Sequence, residues 1–282
     1  VGDEAGTAIT TGDGNVAVGF NALAQEDEHG LNVAIGNSAL YTQNAGANAY
    51  NTAVGASAGF AVTTGAENTL IGGLAGDAIT TGGSNTAVGY LALTANTTAG
   101  NNTAVGIFAM GVNTTGQYNT AVGGNSLDAN TTGANNTALG RLSLSGNTTA
   151  SNNTAVGLSA LQANTTANNN TAVGYVSLAA NTSGTNNVAV GSGALAANTT
   201  ANGNIAIGVN TLDANTTGAS NIAIGHEALG ANTTASNNTA IGYGSLDANT
   251  TGHSNTALGF SSLSANTTAT DNTAVGLNAM GV

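Results

Sequence analysis

Small aliphatic and polar residues alternate along this chain at a fixed beat. The stretch Asn102-Thr-Ala-Val-Gly106 returns from end to end, opened by an Asn at positions 15, 32, 51, 68, 85, 102, 119, 136, 153, 170, 187, 204, 221, 238, 255 and 272. The step is 17 residues throughout except from Asn32 to Asn51, where it is 19. Sixteen copies at so short a period predict an all-β fold, a parallel β-solenoid with 17-residue coils in which like residues stack over like.

Within a unit the alternation predicts two extended pieces separated by turn-formers. In the first, Thr/Val/Ile-Ala-Val/Ile/Leu, successive side chains point to opposite faces, so the β-branched pair shares one face and Ala takes the other. Ala holds the middle place in fifteen of sixteen copies, with Leu70 the exception, whereas the two positions after the Gly vary freely, as in Tyr90-Leu91, Gly124-Asn125 and Arg141-Leu142. Both strand faces are therefore expected to be covered, one by the coil's own interior and the other by a close partner. The second piece runs from Ala/Ser-Leu to Ala, as in Ala160-Leu-Gln-Ala163, with Leu inward and Gln162 and its equivalents outward. Stacked about 4.8 Å apart, the units are expected to form Leu and Val/Ile columns inside the solenoid. Val105, Leu127, Val156, Leu161, Val173, Leu178, Ile207 and Leu212 represent that core.

The Gly after the strand is present in all seventeen instances from Gly2 to Gly276, which predicts a corner of positive φ or a backbone approach too close for a Cβ. Gly106, Gly123, Gly157, Gly174 and Gly208 are the structural turn residues of the regular coils. Asn-Thr-Thr-Gly/Ala makes the second corner, where Asn tolerates left-handed φ and its side chain can bond its counterpart in the next coil.

The domain reading is one repeat domain over 1–282, irregular through residue 84 and regular from 85 onward. In the irregular part Gln25-Glu-Asp-Glu-His29 replaces the Ala-Asn-Thr-Thr-Gly corner. Two extra residues fall between Tyr41 and Tyr50, and Gly59 and Gly76 stand where most coils carry Leu. The chain starts and stops in mid-unit, which leads us to expect a segment of a longer polypeptide. About seventeen coils correspond to a rod of roughly 80 Å.

Composition narrows the function. Charged residues make up 5% of the chain, with one Arg (Arg141), no Lys and a net charge of −12. A surface with a single cation excludes phosphate recognition, and with it nucleic-acid binding and attraction to anionic lipid. There is no apolar run of about 20 residues that would cross a membrane as a helix. Cys is absent, removing disulfides and thiolate metal sites, and Pro is absent, which suits an uninterrupted ladder.

The strand unit Asn-Thr/Val/Ile-Ala-Val/Ile-Gly, followed by an Ala three residues on, resembles the head repeat of trimeric autotransporter adhesins. The whole unit, Asn-Thr-Ala-Val-Gly…Ala-Leu…Ala-Asn-Thr-Thr-Gly, also resembles repeats of bacteriophage tail fibres and bacterial surface fibre proteins. The resemblance implies a left-handed roll, a side-by-side homotrimer, an extracellular place on a virion or cell, and a glycan or protein receptor. A trimer also accounts for the retained Ala, as three rolls packing closely favour a small side chain. The adhesin repeat is usually shorter than 17 residues, and residues 1–282 themselves include no stalk, anchor or chaperone segment. The expected function is a non-enzymatic structural or adhesive fibre segment. The alternative is a filament or sheath subunit stacking end to end, since open ladder edges template addition.

Candidate chemistry is sparse, and no catalytic set, cofactor site or metal centre is assigned. His29, His226 and His253 lie at different repeat phases. Asp128, Asp213 and Asp247 share a phase but not adjacent coils, which does not support paired-carboxylate hydrolysis. Glu26-Asp27-Glu28 offers a weak cation site. Asn-Thr-Thr at Asn96, Asn130 and Asn215 is a glycosylation sequon, read here as a structural corner. An ice-binding Thr ladder fits poorly, because adjacent Thr residues on a strand point oppositely. Aromatics after the Gly (Phe20, Tyr90, Tyr175, Tyr243, Phe260) form a candidate glycan-stacking stripe, interrupted by Gly124, Arg141 and Ser192.

Overall fold

The computed structural model, which describes residues 2–281, is a parallel β-solenoid with no helix among the described residues. The chain divides into two compact units, Val1–Arg141 and Leu142–Val282. The first contains eight three-residue strands, from β1 (Val16–Val18) to β8 (Thr137–Leu139), and the second another eight, from β9 (Thr154–Val156) to β16 (Thr273–Val275). Within each unit every strand pairs in parallel with its neighbours in sequence, residue upon equivalent residue: Thr103 with Thr120, Ala104 with Ala121, Val105 with Val122. The exception in spacing is β2 (Val33–Ile35) on β3 (Thr52–Val54), yet their strands remain in register. The two extra residues are absorbed at residues 45–48. The Asn44 amide still bonds Thr63 across the longer offset, while Glu67 to Ala49 already matches the regular Ser84 to Ala66 bond.

The strand's inner face is the Ala face. Ala104, Ala121, Ala155, Ala172 and Ala206 have no exposed surface. Leu127, Leu161, Leu178 and Leu212 are likewise fully buried, as the repeat predicts. Val105, Val156 and Val173 are instead half-buried on the outer face, and Ile207 is 39% exposed, the reverse of the predicted Val/Ile core column. The physical reason is the small interior of a 17-residue circuit, which Leu70 makes visible. It is the one Leu at the Ala phase, and its coil and the preceding one carry Gly76 and Gly59 at the Leu phase. A Cβ on Gly59 would lie 2.7 Å from Leu70 Cδ1, and one on Gly76 2.8 Å from Leu70 Cδ2. Ala and Leu thus compete for the same volume, and a β-branched side chain on the inner face would not fit beside Leu.

The second predicted strand is not extended. The residues from Ala/Ser-Leu to Ala form turns, and the Leu sits in the left-handed region: φ is 52° at Leu127, 53° at Leu161, 51° at Leu178 and 53° at Leu212. An L-residue there costs roughly 1–2 kcal/mol. Burying a whole Leu side chain gains about 1.5–3 kcal/mol, and the turn's amides are bonded to the next coil, as Leu178 N–H to Ala194 O at 2.9 Å. At the predicted turn glycines both anticipated causes act together. φ is 132°, 137°, 131°, 137° and 138° at Gly106, Gly123, Gly157, Gly174 and Gly208. A Cβ on Gly174 would also lie 2.4 Å from the Gly191 carbonyl oxygen.

Two buried Asn ladders hold the coils together. At the strand-opening Asn, the Asn119 amide donates to Asn102 Oδ1 (3.0 Å), while Asn102 Nδ2 donates to Gly116 O (2.9 Å) across its own coil. At the corner Asn, Asn113 Nδ2 donates to Asn96 Oδ1 (3.2 Å) and to Gly116 O (3.0 Å). The pattern repeats in the second unit, for instance Asn181 Nδ2 to Asn164 Oδ1 (3.1 Å) and Asn198 Nδ2 to Asn181 Oδ1 (2.9 Å). These bonds satisfy polar groups that are costly to bury unpaired.

Candidate functional site

Because each strand turns its middle residue inward, Ala in all but β4 (Thr69–Ile71) where it is Leu70, its first and third residues turn outward together. The outward third position is aliphatic in every strand, and no strand residue carries a charge. Val18, Ile35 and Ile71 in the first unit, and Ile207 and Leu258 in the second, are 38% to 44% exposed. Each unit therefore presents a stripe of Val, Ile and Leu beside a column of Thr, Val or Ile, fixed at strand spacing. Contiguous exposed apolar surface of this kind marks an interaction face.

Other predicted candidates are distributed elsewhere. Asp213 and Asp247 line one notch of about 380 Å³ with Asn210, Glu227, Gly230 and Ala231, the intervening Gly230 leaving the space. Burial raises the Asp213 pKa and Glu227 adds to this, against the amides of Asp213 and Ala214. Asp128 accepts a bond from Asn125 Nδ2 (3.1 Å) in the first unit. His226, Tyr243 and Phe260 stack face to face, with ring centroids 5.3 and 5.2 Å apart. Both faces of Tyr243 are thus covered by rings, while Phe20, Tyr90 and Tyr175 are exposed in separate coils. Asn96, Asn130 and Asn215 have no exposed surface, so the folded sequons present no amide to a glycosyl donor. In the Thr pairs the first hydroxyl bonds the next coil, as Thr114 Oγ1 to Thr131 O (2.9 Å), and in most coils the second Thr is the more exposed of the two.

Among the described residues, the acidic corner is where three potential metal-ligating side chains converge most closely. One donor atom from each of Glu26, Asp27 and His29 lies within 4.8 Å of the others. Glu28, the third residue of the predicted cation site, is exposed and does not join them. Glu26 is fully buried at the phase where regular coils place the corner Asn. Burial raises its pKa and the Asp27 charge adds to this, while the His29 amide and charge and, least, the Ala45 amide oppose it.

No family model matches the chain, and no curated protein matches it.

The outward apolar stripe and the convergence of His29 with Glu26 and Asp27 are not evident from the sequence pattern. A signal for the stripe exists in the repeat, because Leu70 at the Ala phase coincides with Gly59 and Gly76 at the Leu phase and so marks Ala as interior. Repeat phase does not bring out His29, since no other His shares it, but its three-residue spacing from Glu26 places both at one corner.

Proposed function

We propose that this chain is a non-enzymatic segment of an extracellular structural or adhesive fibre, in which three copies associate side by side through the outer faces of their strand stacks. One observation carries the reading: the uncharged Val/Ile/Leu stripe on the outward strand face, exposed in each unit. Its occupant is a second copy of the same stripe. The stripe is self-complementary, carries no charge to repel its own image, and repeats with the strand spacing, so two copies match along their length in one register. In-register Asn ladders and buried Leu columns give a stiff body without charge pairs, which suits a fibre segment in a salt-variable setting outside the cell.

Light scattering coupled to gel filtration tests this on the untagged chain. A discrete species of three times 26.8 kDa is expected. A monomer at high concentration refutes lateral association. Concentration-dependent open polymers replace the trimer by the end-to-end filament.

A further inference from the structure

We propose that Glu26, Asp27 and His29 form a binding site for one divalent transition-metal ion of the Zn²⁺ class, held at a corner of the first unit.

Two of the chain's irregularities, the Gln25–His29 corner and the two-residue insertion of the next coil, meet there. In regular coils the corner Asn donates Nδ2 to the carbonyl three residues on, as Asn113 does to Gly116 O at 3.0 Å. Glu26 stands at that phase and has no proton to donate. One of its oxygens, Oε1, accepts the His29 amide at 3.3 Å, while Oε2 is buried without a hydrogen-bond partner. His29, where regular coils carry Gly or Ala, has its Nδ1 buried and without a partner as well. The chain thus buries a carboxylate oxygen and an imidazole nitrogen in one corner, each with an unused lone pair, at a cost that a cation would reverse.

The third ligand and the frame are in place. Asp27 Oδ1 accepts the Glu28 amide (2.7 Å), leaving Oδ2 free to turn to the same point. The backbone of the corner is anchored, with Thr10 bonding Asp27 O through both its amide (2.8 Å) and its hydroxyl (2.9 Å), and Asn15 Nδ2 bonding His29 O (3.0 Å). Above it lies the two-residue insertion of the next coil, whose Asn48 Oδ1 accepts the Gly30 amide at 3.0 Å. Four-coordinate zinc places its ligand atoms about 3.3 Å apart. The donors already lie within 4.8 Å of one another, so rotation about side-chain torsions closes the set.

The donor chemistry selects the ion. One imidazole nitrogen with two carboxylates suits Zn²⁺, Co²⁺ or Ni²⁺, whereas Ca²⁺ seeks six to eight oxygens and Mg²⁺ a near-octahedral oxygen shell. Three protein ligands leave one position for water. The ion would clip residues 26–29, a corner without the ladder Asn, to the coil.

Isothermal titration of ZnCl₂ into the chelator-treated, untagged chain tests the site. One saturable site per chain is expected, with binding at least about 10-fold weaker in Glu26→Asn and His29→Gly. Both substitutions install the residue that regular coils carry at these phases, and matching circular dichroism verifies that the variants fold. Asp27→Asn gives the same loss without altering a buried residue. Co²⁺ substitution is expected to produce visible absorption bands that disappear in His29→Gly. Absence of a saturable one-to-one site, wild-type affinity in both Glu26→Asn and His29→Gly, or CaCl₂ binding as tight as ZnCl₂ would overturn the proposal.

Discussion

Replacing Asn181 by Ala tests the claim that buried amides rather than apolar columns lock one coil to the next. Asn181 has no exposed surface. Its Nδ2 donates to Asn164 Oδ1 (3.1 Å) and Gly184 O (2.9 Å), and its Oδ1 accepts from Asn198 Nδ2 (2.9 Å). After the substitution Gly184 O keeps the bond from Asn170 Nδ2 (2.9 Å), and Asn198 Nδ2 keeps its bond to Ala201 O (3.2 Å). Asn164 Oδ1 is left buried without a donor. An orphaned buried acceptor costs about 1–3 kcal/mol and each of the two other lost bonds about 0.5–1.5 kcal/mol net, so a local loss of about 2–6 kcal/mol is expected. A solenoid opens locally and its coils depend on their neighbours, so the fitting assay is native-state amide exchange. The Leu178 and Thr182 amides, bonded to Ala194 O and Thr199 O, are the probes. Their exchange should accelerate at least roughly 30-fold and up to roughly 20,000-fold, at about 1.4 kcal/mol per tenfold, while Thr256, several coils away in the same unit, changes little. In a double-mutant cycle with Asn198→Ala, a coupling of at least about 0.5 kcal/mol is expected for residues sharing a bond. A loss below about 0.5 kcal/mol at Leu178, or strict additivity with Asn198→Ala, would show that the ladder is geometry without energy.

Four further perturbations address other parts of the structure. Leu70→Ala should cost near the top of the usual range of about 2–5 kcal/mol in guanidinium unfolding, because Gly59 and Gly76 leave no Leu of their own to fill the space. Gly174→Ala combines a φ of 137° with a Cβ 2.4 Å from Gly191 O. The backbone strain alone predicts a loss of about 1–3 kcal/mol, read at the exchange of the Gly191 amide; an unaffected amide contradicts the corner geometry. Val173→Asp, on the outward stripe, should leave the circular dichroism of the coil intact and lower the oligomer mass toward one chain. Asp213 has a folded-state pKa raised above its ordinary 3.8, chiefly by burial. Its contribution to stability is thus complete at low pH and lost as pH rises through the raised value. Asp213→Asn should match the wild type in thermal midpoint in acid and exceed it at neutral pH; equal midpoints across that range would refute the shift.

Much of the architecture follows from spacing alone, because a strict period can be satisfied only by placing equivalents over equivalents. Val16 on Val33 and Ile205 on Ile222 are pairings that the Asn positions already imply. Spacing cannot decide which side of a three-residue strand is inside. Alternation puts Thr103 and Val105 on one face and Ala104 on the other, but hydrophobicity favours the Val face as the core, and only the volume of the circuit reverses that preference. Nor does composition foretell Leu at left-handed φ, since Leu seldom adopts it. The phase two residues earlier gives a partial hint: Asn21, Asn125, Gly193 and Gly244, types that accept positive φ with little strain, occupy it in some coils, while Leu91, Phe108 and Val176 adopt the same φ in others. The outward stripe follows from these corrections. Once Ala is inside, the β-branched pair has no interior to fill, yet a column facing water permanently has no need to remain aliphatic at its third position in all sixteen strands. A surface that must pack against its own copy does have that need, because each Val or Ile then meets an equivalent across the interface, and a charge at any coil would be buried against another of the same sign.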